Sequence, residues 1–348
     1  MAEYYEYELG KAADVLVQEH FKLKEGESIV ITGDTESDMR VIDATARAAF
    51  AAGAKPMVVI TAAPLGVGKQ TDLYLPVEPL RAALKHADAW VEFNKQYLLY
   101  SETWRIATTE NARLRFLCLP AMNVDVFVRL FARTDQRRLA QFLETVAGMI
   151  GRAKHVRITT ALGGDVSFQN DLSHPVLART GYADKPGTFM LPGMIAWAPD
   201  FDTINGVIVL DGSIVPQIGM LSQPVSVHLE KGVIRRIEGG REATEWEMWL
   251  KSFNDPQMLR PAHVSCGFHP QARLTGQIGE DERIWGATQW GFGAVAGYLA
   301  PPNGFPAASH TDAISMNSSI WLDGNPLTDR GKVVHPDLIE LAEALRRG

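Results

Sequence analysis

Short apolar segments alternate with amphipathic segments through residues 28–152 of the chain. Ser28–Thr32 and Met57–Thr61 are almost wholly apolar and rich in β-branched residues, which is typical of strands buried on both faces. Ala89–Phe93 and Leu114–Leu119 have the same character. Because strands that alternate with helices form parallel sheets covered by helices, this half predicts a Rossmann-like α/β domain.

Three segments among these strands have the spacing of amphipathic helices. Asp38–Ala52 is rich in alanine and precedes Gly53, a residue type that often ends a helix. Pro79–His86 predicts a second, shorter helix. Asp135–Arg152 has the clearest helical period, and its apolar side chains predict one buried face, namely Leu139, Phe142, Leu143, Val146, Met149 and Ile150.

The pattern changes near residue 155, where a second domain of mixed α/β character is expected. His155–Thr160 and Val207–Leu210 predict strands, and Ser226–Ile237 predicts a hairpin. Helices are predicted around Trp246 and over Pro336–Arg347. The expected domains are therefore 1–154 and 155–348.

Glycine, proline and aromatic residues are concentrated in residues 261–312. We expect loops on a rigid scaffold here, a common place for functional sites. Gly291-Phe292-Gly293 matches part of a dinucleotide-binding fingerprint, but no clear strand precedes it and no ribose-binding acid follows it. These glycines are therefore interpreted as places of close backbone packing.

Composition narrows the classes of function. The chain has 348 residues, 46% of them hydrophobic and 22% charged, which is ordinary for a globular protein. Its net charge of −7 argues against general nucleic-acid binding. The acidic, tyrosine-rich start is unlike a signal peptide, and no apolar run has the length of a membrane span. Two cysteines without metal or disulfide spacing fit a reducing cytoplasm.

His310-Thr311-Asp312 is the most informative candidate for chemistry. On an extended segment alternate side chains point the same way, so this imidazole and this carboxylate can reach one ion. With His263 they would cap one face of an octahedral ion and leave positions for substrate and O2, as in non-haem Fe(II) oxygenases. The motif is short, and a loop histidine beside a turn aspartate is the alternative interpretation.

Three further residues are candidates for handling a substrate. His269, before Pro270, would bind metal or substrate, or would only cap a turn. Tyr100 follows a predicted strand, where α/β sheets place ligands, and its hydroxyl would donate to an oxyanion or only pack. Arg179 would clamp a carboxylate by bidentate bonds, and the alternative is an ordinary surface arginine.

Longer segments resemble one family in order and spacing. They are GYADKPG at 181–187, LPG at 191–193, GVIVLD at 206–211, FNDP at 253–256, AHVSCGFHP at 262–270 and SHTD at 309–312. The family is 2,5-dihydroxypyridine 5,6-dioxygenase, a ring-opening enzyme of nicotinate degradation that is related to thermophilic metallo-aminopeptidases. The resemblance implies one Fe(II) held by His263, His310 and Asp312, and a homo-oligomer with a Rossmann-like first domain and a metal-bearing second domain.

The related peptidases bind two metals with residues that this chain lacks. A glutamate after their Leu-Pro-Gly is Met194 here, and methionine is a poor ligand for a hard ion. Another of their glutamates stands at His263, and their remaining histidine falls near Gln289-Trp290, which is not histidine. A mononuclear site is therefore predicted.

The chain departs from the dioxygenases where substrate is handled. They have histidine at Tyr100, glutamate at Arg179 and glutamine at His269. A phenol with a pKa near ~10 is a poor base, so His269 is the better proton carrier of the two. If Arg179 lines the pocket, the substrate carries an anionic group. We predict an Fe(II) ring-cleaving dioxygenase for a hydroxylated pyridine or a related N-heteroaromatic or aromatic acid that resembles 2,5-dihydroxypyridine, with or without a ring carboxylate. The alternatives are an aminopeptidase-like or amide hydrolase with a single metal and a non-catalytic binding protein.

Overall fold

The computed structural model describes residues 5–66 and 68–347 and has a mixed α/β fold, as predicted. The helices, numbered along the chain, are α1 (Tyr5–Asp14), α2 (Met39–Ala51), α3 (Val77–Leu84), α4 (Glu102–Glu110), α5 (Val124–Phe127), α6 (Gln136–Arg152), α7 (Arg241–Ser252), α8 (Ile278–Asp281) and α9 (Pro336–Arg347). The strands are β1 (Ser28–Asp34), β2 (Lys55–Thr61), β3 (Ala89–Glu92), β4 (Arg115–Cys118), β5 (His155–Thr159), β6 (Asp165–Gln169), β7 (Leu177–Arg179), β8 (Gly187–Met190), β9 (Met194–Trp197), β10 (Asn205–Leu210), β11 (Ser213–Val215), β12 (Gly219–Met220), β13 (Val225–Glu230), β14 (Val233–Glu238), β15 (Pro261–Gly267), β16 (Thr288–Val295), β17 (Phe305–Ser315), β18 (Ser319–Leu322), β19 (Asn325–Asp329) and β20 (Lys332–Val333).

Contacts between Cα atoms divide the chain into two compact units. The first unit contains Met1–Asp135 and Thr180–Pro192, and the second contains Gln136–Arg179 and Gly193–Gly348. Helix α6 thus packs in the second unit although it precedes residue 155. The domain boundary expected at 154/155 stays a prediction.

The first unit is built on a parallel sheet with the strand order β2-β1-β3-β4-β8. Its first four strands are the apolar segments predicted from the sequence. Helix α2 begins where the Asp38 side chain accepts the N–H of Arg40, and it is followed by Gly53 at φ +80°, as its helix-ending role requires.

The second unit contains an eight-stranded sheet, ordered β14-β13-β10-β6-β5-β18-β19-β20, and a seven-stranded sheet, ordered β12-β11-β17-β16-β15-β9-β7. Side chains from both sheets and from α6, α7 and α9 form one continuous hydrophobic core. Within α6 the predicted apolar face is confirmed: Leu139, Phe142, Leu143, Val146 and Ile150 are fully buried, and Met149 is partly buried against the same core.

The expectation of loops over residues 261–312 is wrong for residues 261–267, 288–295 and 305–312, which form strands. Strands β15, β16 and β17 lie there, and β16 pairs with both of the others. In β16 the aromatic side chains Trp290 and Phe292 are buried in the core, and the pairing with β17 shifts register after Gly293. No helix within residues 5–66 and 68–347 has both the length and the apolar character needed to cross a bilayer.

Candidate metal centre

One face of the strands β15, β16 and β17 carries the polar side chains of the candidate site. The opposite face turns Val264, Trp290 and Ala313 into the core. On the polar face, Gly291 in the central strand pairs with His263 on one side and with Asp312 on the other. Since paired residues in an antiparallel sheet share a face, His263 and Asp312 flank a position that has no side chain.

The structure brings the three predicted metal ligands together. One ligating atom each from His263, His310 and Asp312 lies within 4.8 Å of the others. Oδ1 of Asp312 is 3.0 Å from Nε2 of His310 and 3.7 Å from Nε2 of His263. The two imidazole rings are nearly parallel, with centroids 5.3 Å apart. His310 and Asp312 thus lie on one strand and point to the same side of it, as the His-x-Asp spacing predicted.

Gly291 makes room for both imidazoles. A Cβ at this position would lie 2.2 Å from Nδ1 of His263 and 3.0 Å from Cε1 of His310. The His263 ring could not keep its place beside an ordinary side chain, and the His310 ring would be crowded, because a Cβ does not approach other heavy atoms so closely. Close packing at this glycine was the interpretation favoured by the sequence, and the structure confirms it.

Burial and neighbouring charge set the protonation of the cluster in opposite directions. Burial lowers the pKa of His263 to about 4, which keeps this imidazole neutral near pH 7. Burial also disfavours the charged form of His310, but the attraction of Asp312 outweighs it and raises the His310 pKa. Burial opposes ionisation of Asp312 as well, and the charge of His310 overcomes it and lowers the Asp312 pKa.

The orientation of His310 is fixed by the backbone. Its Nδ1 lies 2.8 Å from the carbonyl oxygen of Ala294, which can only accept a hydrogen bond. Nδ1 therefore carries the proton and Nε2 faces Asp312. This is the arrangement in which a histidine ligates a metal through Nε2 while its other nitrogen is held from behind.

Gln289 and Ser265 lie beside the three-residue cluster, and no signal in the sequence placed either of them there. Nε2 of Gln289 lies 3.2 Å from Nε2 of His263 and also donates to Oδ1 of Asp312. The hydroxyl of Ser265 donates to Oε1 of the same amide. Ser265 and Gln289 pair across β15 and β16, so only the register of the sheet reveals that they belong with the cluster.

Arg179 lies on the same face of the seven-stranded sheet. It pairs with Met194 in β9, which in turn pairs with Gly267 in β15, two positions from Ser265. Its guanidinium lies over the Tyr298 ring at 5.0 Å, and its Nε is buried without a hydrogen-bond partner in the described part of the chain. Burial of His263 is the main cause of its low pKa, and the positive charge of Arg179 is a smaller one that acts in the same direction.

His269 lies beyond the far end of β15 and is not a member of the three-residue cluster. Its side chain is fully buried, and its Nδ1 accepts the N–H of Gln271 at 3.3 Å. Gly193 packs against its ring, since a Cβ there would lie 3.0 Å from Cδ2 of His269.

Tyr100 belongs to the first unit, in the turn between β3 and α4. The residue is 36% exposed, and its ring meets the Trp104 ring edge-on with centroids 5.6 Å apart. Its φ of +71° is uncommon for a residue with a bulky side chain, so the turn holds Tyr100 in a strained backbone conformation.

The donors of the cluster fit a divalent transition-metal ion. Two imidazole nitrogens and one carboxylate oxygen, held on one side by neighbouring strands, form the set that leaves coordination positions open. Within the described residues no second carboxylate joins them, and Met194 lies in an apolar cluster. This geometry suits one ion better than two.

Comparison with known proteins identifies the family. A sequence model of the 2,5-dihydroxypyridine 5,6-dioxygenase family (NicX) matches residues 15–335. The chain belongs to this family. A curated relative, the 2,5-dihydroxypyridine 5,6-dioxygenase of Pseudomonas putida, is 26% identical over 337 residues, which cover 91% of this chain and 93% of that protein. The resemblance read from the sequence is confirmed.

Solved structures support the same fold. The 2,5-dihydroxypyridine dioxygenase of Pseudomonas putida KT2440 has a TM-score of 0.78 at 22% identity, covering 96% of this chain and 99% of that one. AmpT from Thermus thermophilus has a TM-score of 0.67 at 15% identity, covering 95% of this chain and 100% of that one. At such identities these likenesses show the fold alone.

Proposed function

We propose that the chain is an Fe(II)-dependent dioxygenase that cleaves the ring of a hydroxylated pyridine or a related aromatic acid. The observation that carries the proposal is the convergence of His263, His310 and Asp312 in a member of this family. A bound Fe(II) would acidify a ring hydroxyl and supply the site for O2 chemistry. The protein holds the two imidazoles and the carboxylate on neighbouring strands, which would fix the position of a bound ion.

Arg179 is proposed to bind an anionic group of the substrate, such as a ring carboxylate. Three observations support this role: its place on the ligand-bearing face of the sheet, its influence on the His263 pKa, and the unused hydrogen-bonding capacity of its Nε. A guanidinium offers a carboxylate two parallel hydrogen bonds, so it would set the orientation of the ring as well as its affinity.

Proton transfer is assigned to His269, with Tyr100 as the second candidate. Imidazole has the intrinsic pKa that suits this work near neutral pH. His269→Gln and Tyr100→Phe keep side-chain size while removing the titrating group. The residue that carries the proton is the one whose replacement lowers kcat and alters its pH profile while bound iron stays unchanged.

The remaining proposals concern the whole protein. By analogy with the family, we propose a homo-oligomer that acts in the cytoplasm, with a Rossmann-like first domain over residues 1–154 and the metal-bearing domain over 155–348. The parallel order of the first sheet supports the Rossmann-like description. Light scattering on the purified protein measures the oligomer directly.

The function is tested by O2 uptake with anaerobically purified, Fe(II)-loaded protein. The panel contains 2,5-dihydroxypyridine and hydroxylated pyridines and benzenes with and without a carboxylate. We expect uptake together with loss of the ring chromophore. His310→Ala and Asp312→Ala should lose iron and turnover, whereas the surface variant His228→Ala should keep both. Iron binding without uptake on any ring, together with activity on peptides or amides under Zn, Mn or Co, would instead establish a single-metal hydrolase.

Arg179→Glu tests the substrate class. If Arg179 clamps an anion, the ratio of kcat/KM for carboxylated over uncharged rings should fall at least about tenfold, because the charge at the binding position is reversed. Arg157→Glu is the matched control, since Arg157 is a surface arginine of the same unit. An unchanged ratio in Arg179→Glu would remove the anionic group from the proposed substrate.

A further inference from the structure

Gln289 directs its amide at two atoms that the proposed metal site would use. Its Nε2 lies 3.2 Å from Nε2 of His263 and within hydrogen-bonding distance of Oδ1 of Asp312. A neutral imidazole nitrogen has a single lone pair, which serves either a hydrogen bond or a metal. An ion ligated by Nε2 of His263 would therefore displace this amide hydrogen bond, and the Gln289 side chain would need other hydrogen-bond partners.

The neighbouring positions of the central strand, β16, indicate that the long side chain at position 289 has a role at this site. On the polar face of β16, positions 291 and 293 are glycines that leave space, while position 289 carries a long polar side chain. Gln289 is 1% exposed, so its amide cannot exchange its partners for solvent. A buried amide without partners is costly, and the side chain needs a second arrangement in which it stays hydrogen-bonded.

Ser265 provides that second arrangement. Its fully buried hydroxyl donates to Oε1 of Gln289. A hydroxyl also accepts hydrogen bonds, so after a half-turn of the amide Ser265 would accept from Nε2 instead. The half-turn directs Oε1 towards His263 and Asp312. An amide oxygen is a ligand type that divalent ions accept, and it is also an acceptor for an ion-bound water.

We propose that Gln289 is a fourth residue of the metal site, which turns its amide oxygen to the ion and is held in that orientation by Ser265. The inference rests on the proposed function, because it requires that His263, His310 and Asp312 bind a metal. Since the amide is neutral, it strengthens binding without adding negative charge to that of Asp312. Gln289 thus tunes the affinity of the site for the ion and the geometry in which the ion is held.

The test is a titration of the full-length protein with Co(II), whose visible absorption reports coordination. Gln289→Met keeps side-chain length but removes the amide, and Gln223→Met is the matched control at an exposed glutamine of the same unit. We expect Gln289→Met to raise the Co(II) Kd by about 10- to 100-fold and to change the visible band, as loss of a supporting residue does in metal sites. Gln223→Met should match the wild type in both.

Two more variants separate a metal role from simple packing. Gln289→Glu keeps size and places a charged oxygen in the site, so it should lower the Co(II) Kd below the wild-type value. Ser265→Ala should raise the Kd by less than Gln289→Met does. Circular dichroism without metal identifies any variant that does not fold, and the conclusion then rests on the others.

The outcomes distinguish a failure of the metal site from a failure of the role of Gln289. Wild-type protein that binds no Co(II) overturns the metal site and with it this inference. Wild-type binding together with an unchanged Kd and band in folded Gln289→Met, or in Gln289→Glu, overturns the role of Gln289 and leaves the three-residue site intact.

Discussion

Gly291 is the position at which one added methyl group tests the candidate site. Gly291→Ala places a Cβ 2.2 Å from Nδ1 and 2.3 Å from Cε1 of His263, so the imidazole must move. Misplacing a ligand by an ångström disrupts a metal site. We expect Gly291→Ala to bind Fe(II) or Co(II) at least about 10-fold more weakly, a loss comparable to that of supporting residues in metal sites, as measured by anaerobic titration.

The matched control is Gly148→Ala, in helix α6 of the same unit. Here the added Cβ meets only the far end of Arg152 at 3.4 Å. Alanine is favoured over glycine in a helix by up to about 1 kcal/mol, so this variant should be as stable as the wild type or more so. Equal metal affinity in the two variants would show that the His263 ring is free to relocate.

The buried Glu92 should make the stability of the folded state depend on pH. The carboxyl group is fully buried at the end of β3, and burial raises its pKa from the ordinary 4.5 to about 7, against hydrogen bonds from the Cys118 thiol and the Leu98 N–H. The folded state therefore keeps its proton where the unfolded chain loses it. Below pH 4.5 both states are protonated and Glu92 is accommodated without charge. As the pH rises to about 7 this advantage is lost.

Glu92→Gln removes the titration while keeping side-chain size. At ~1.4 kcal/mol per pH unit, wild-type stability should fall relative to Glu92→Gln by roughly 3 kcal/mol between pH 4.5 and pH 7, then level off. Urea unfolding at several pH values measures the difference. The exposed Glu25→Gln should run parallel to the wild type. A Glu92→Gln difference that is independent of pH would contradict a raised pKa.

At the scale of the elements, helix α6 packs its apolar face into the core of the second unit. Phe142 is fully buried and contacts the rings of Phe268 and Trp285, with centroids 5.2 and 5.3 Å away. Phe142→Ala leaves a cavity on this helix and should lower the free energy of unfolding by about 3–5 kcal/mol. Denaturant unfolding measures the loss. Glu144→Ala, on the exposed face of the same helix, should cost less than about 0.5 kcal/mol. Similar losses in both variants would contradict the packing of α6 by one face.

The elements that the sequence predicts well are those whose signal is local. The apolar run of β1 and the helical period of α6 need no partner to be recognised, and both are confirmed. Strands β15 to β17 were mistaken for loops because their glycines suit turns in isolation. Gly291 is acceptable in β16 since the rings of His263 and His310 occupy the space above it, which is a contact between strands distant in sequence.

The same distinction between local signals and contacts distant in sequence explains which residues of the site could be predicted. His310 and Asp312 are two residues apart on one strand, so alternation alone predicts that they face the same way. Gln289 and Ser265 come from different strands and are joined by cross-strand pairing. A search for alternating polar and apolar positions in 262–266 and 288–293 would have marked these strands, but not their register.

At the scale of the whole molecule, the chain leaves the first unit after Asp135 and returns to it for Thr180–Pro192, which supplies β8. The first unit is therefore not continuous in sequence, which a change of pattern near residue 155 cannot reveal. The three proposed ligands and Gln289 all lie in the second unit. A metal bound to them stabilises the folded form of that unit in particular.

Hydrogen exchange with and without Mn(II) locates this stabilisation. At a metal concentration 100 times Kd, binding contributes about 2.7 kcal/mol, which slows exchange from openings that release the ion by roughly 100-fold. We expect the slowing in β15, β16 and β17, which carry the proposed ligands, and a much smaller effect in β1 and β3 of the first unit. Asp312→Asn, which lacks the ligating charge, should show little slowing anywhere. Equal slowing in both sheets, or slowing that persists in Asp312→Asn, would place the ion elsewhere in the protein.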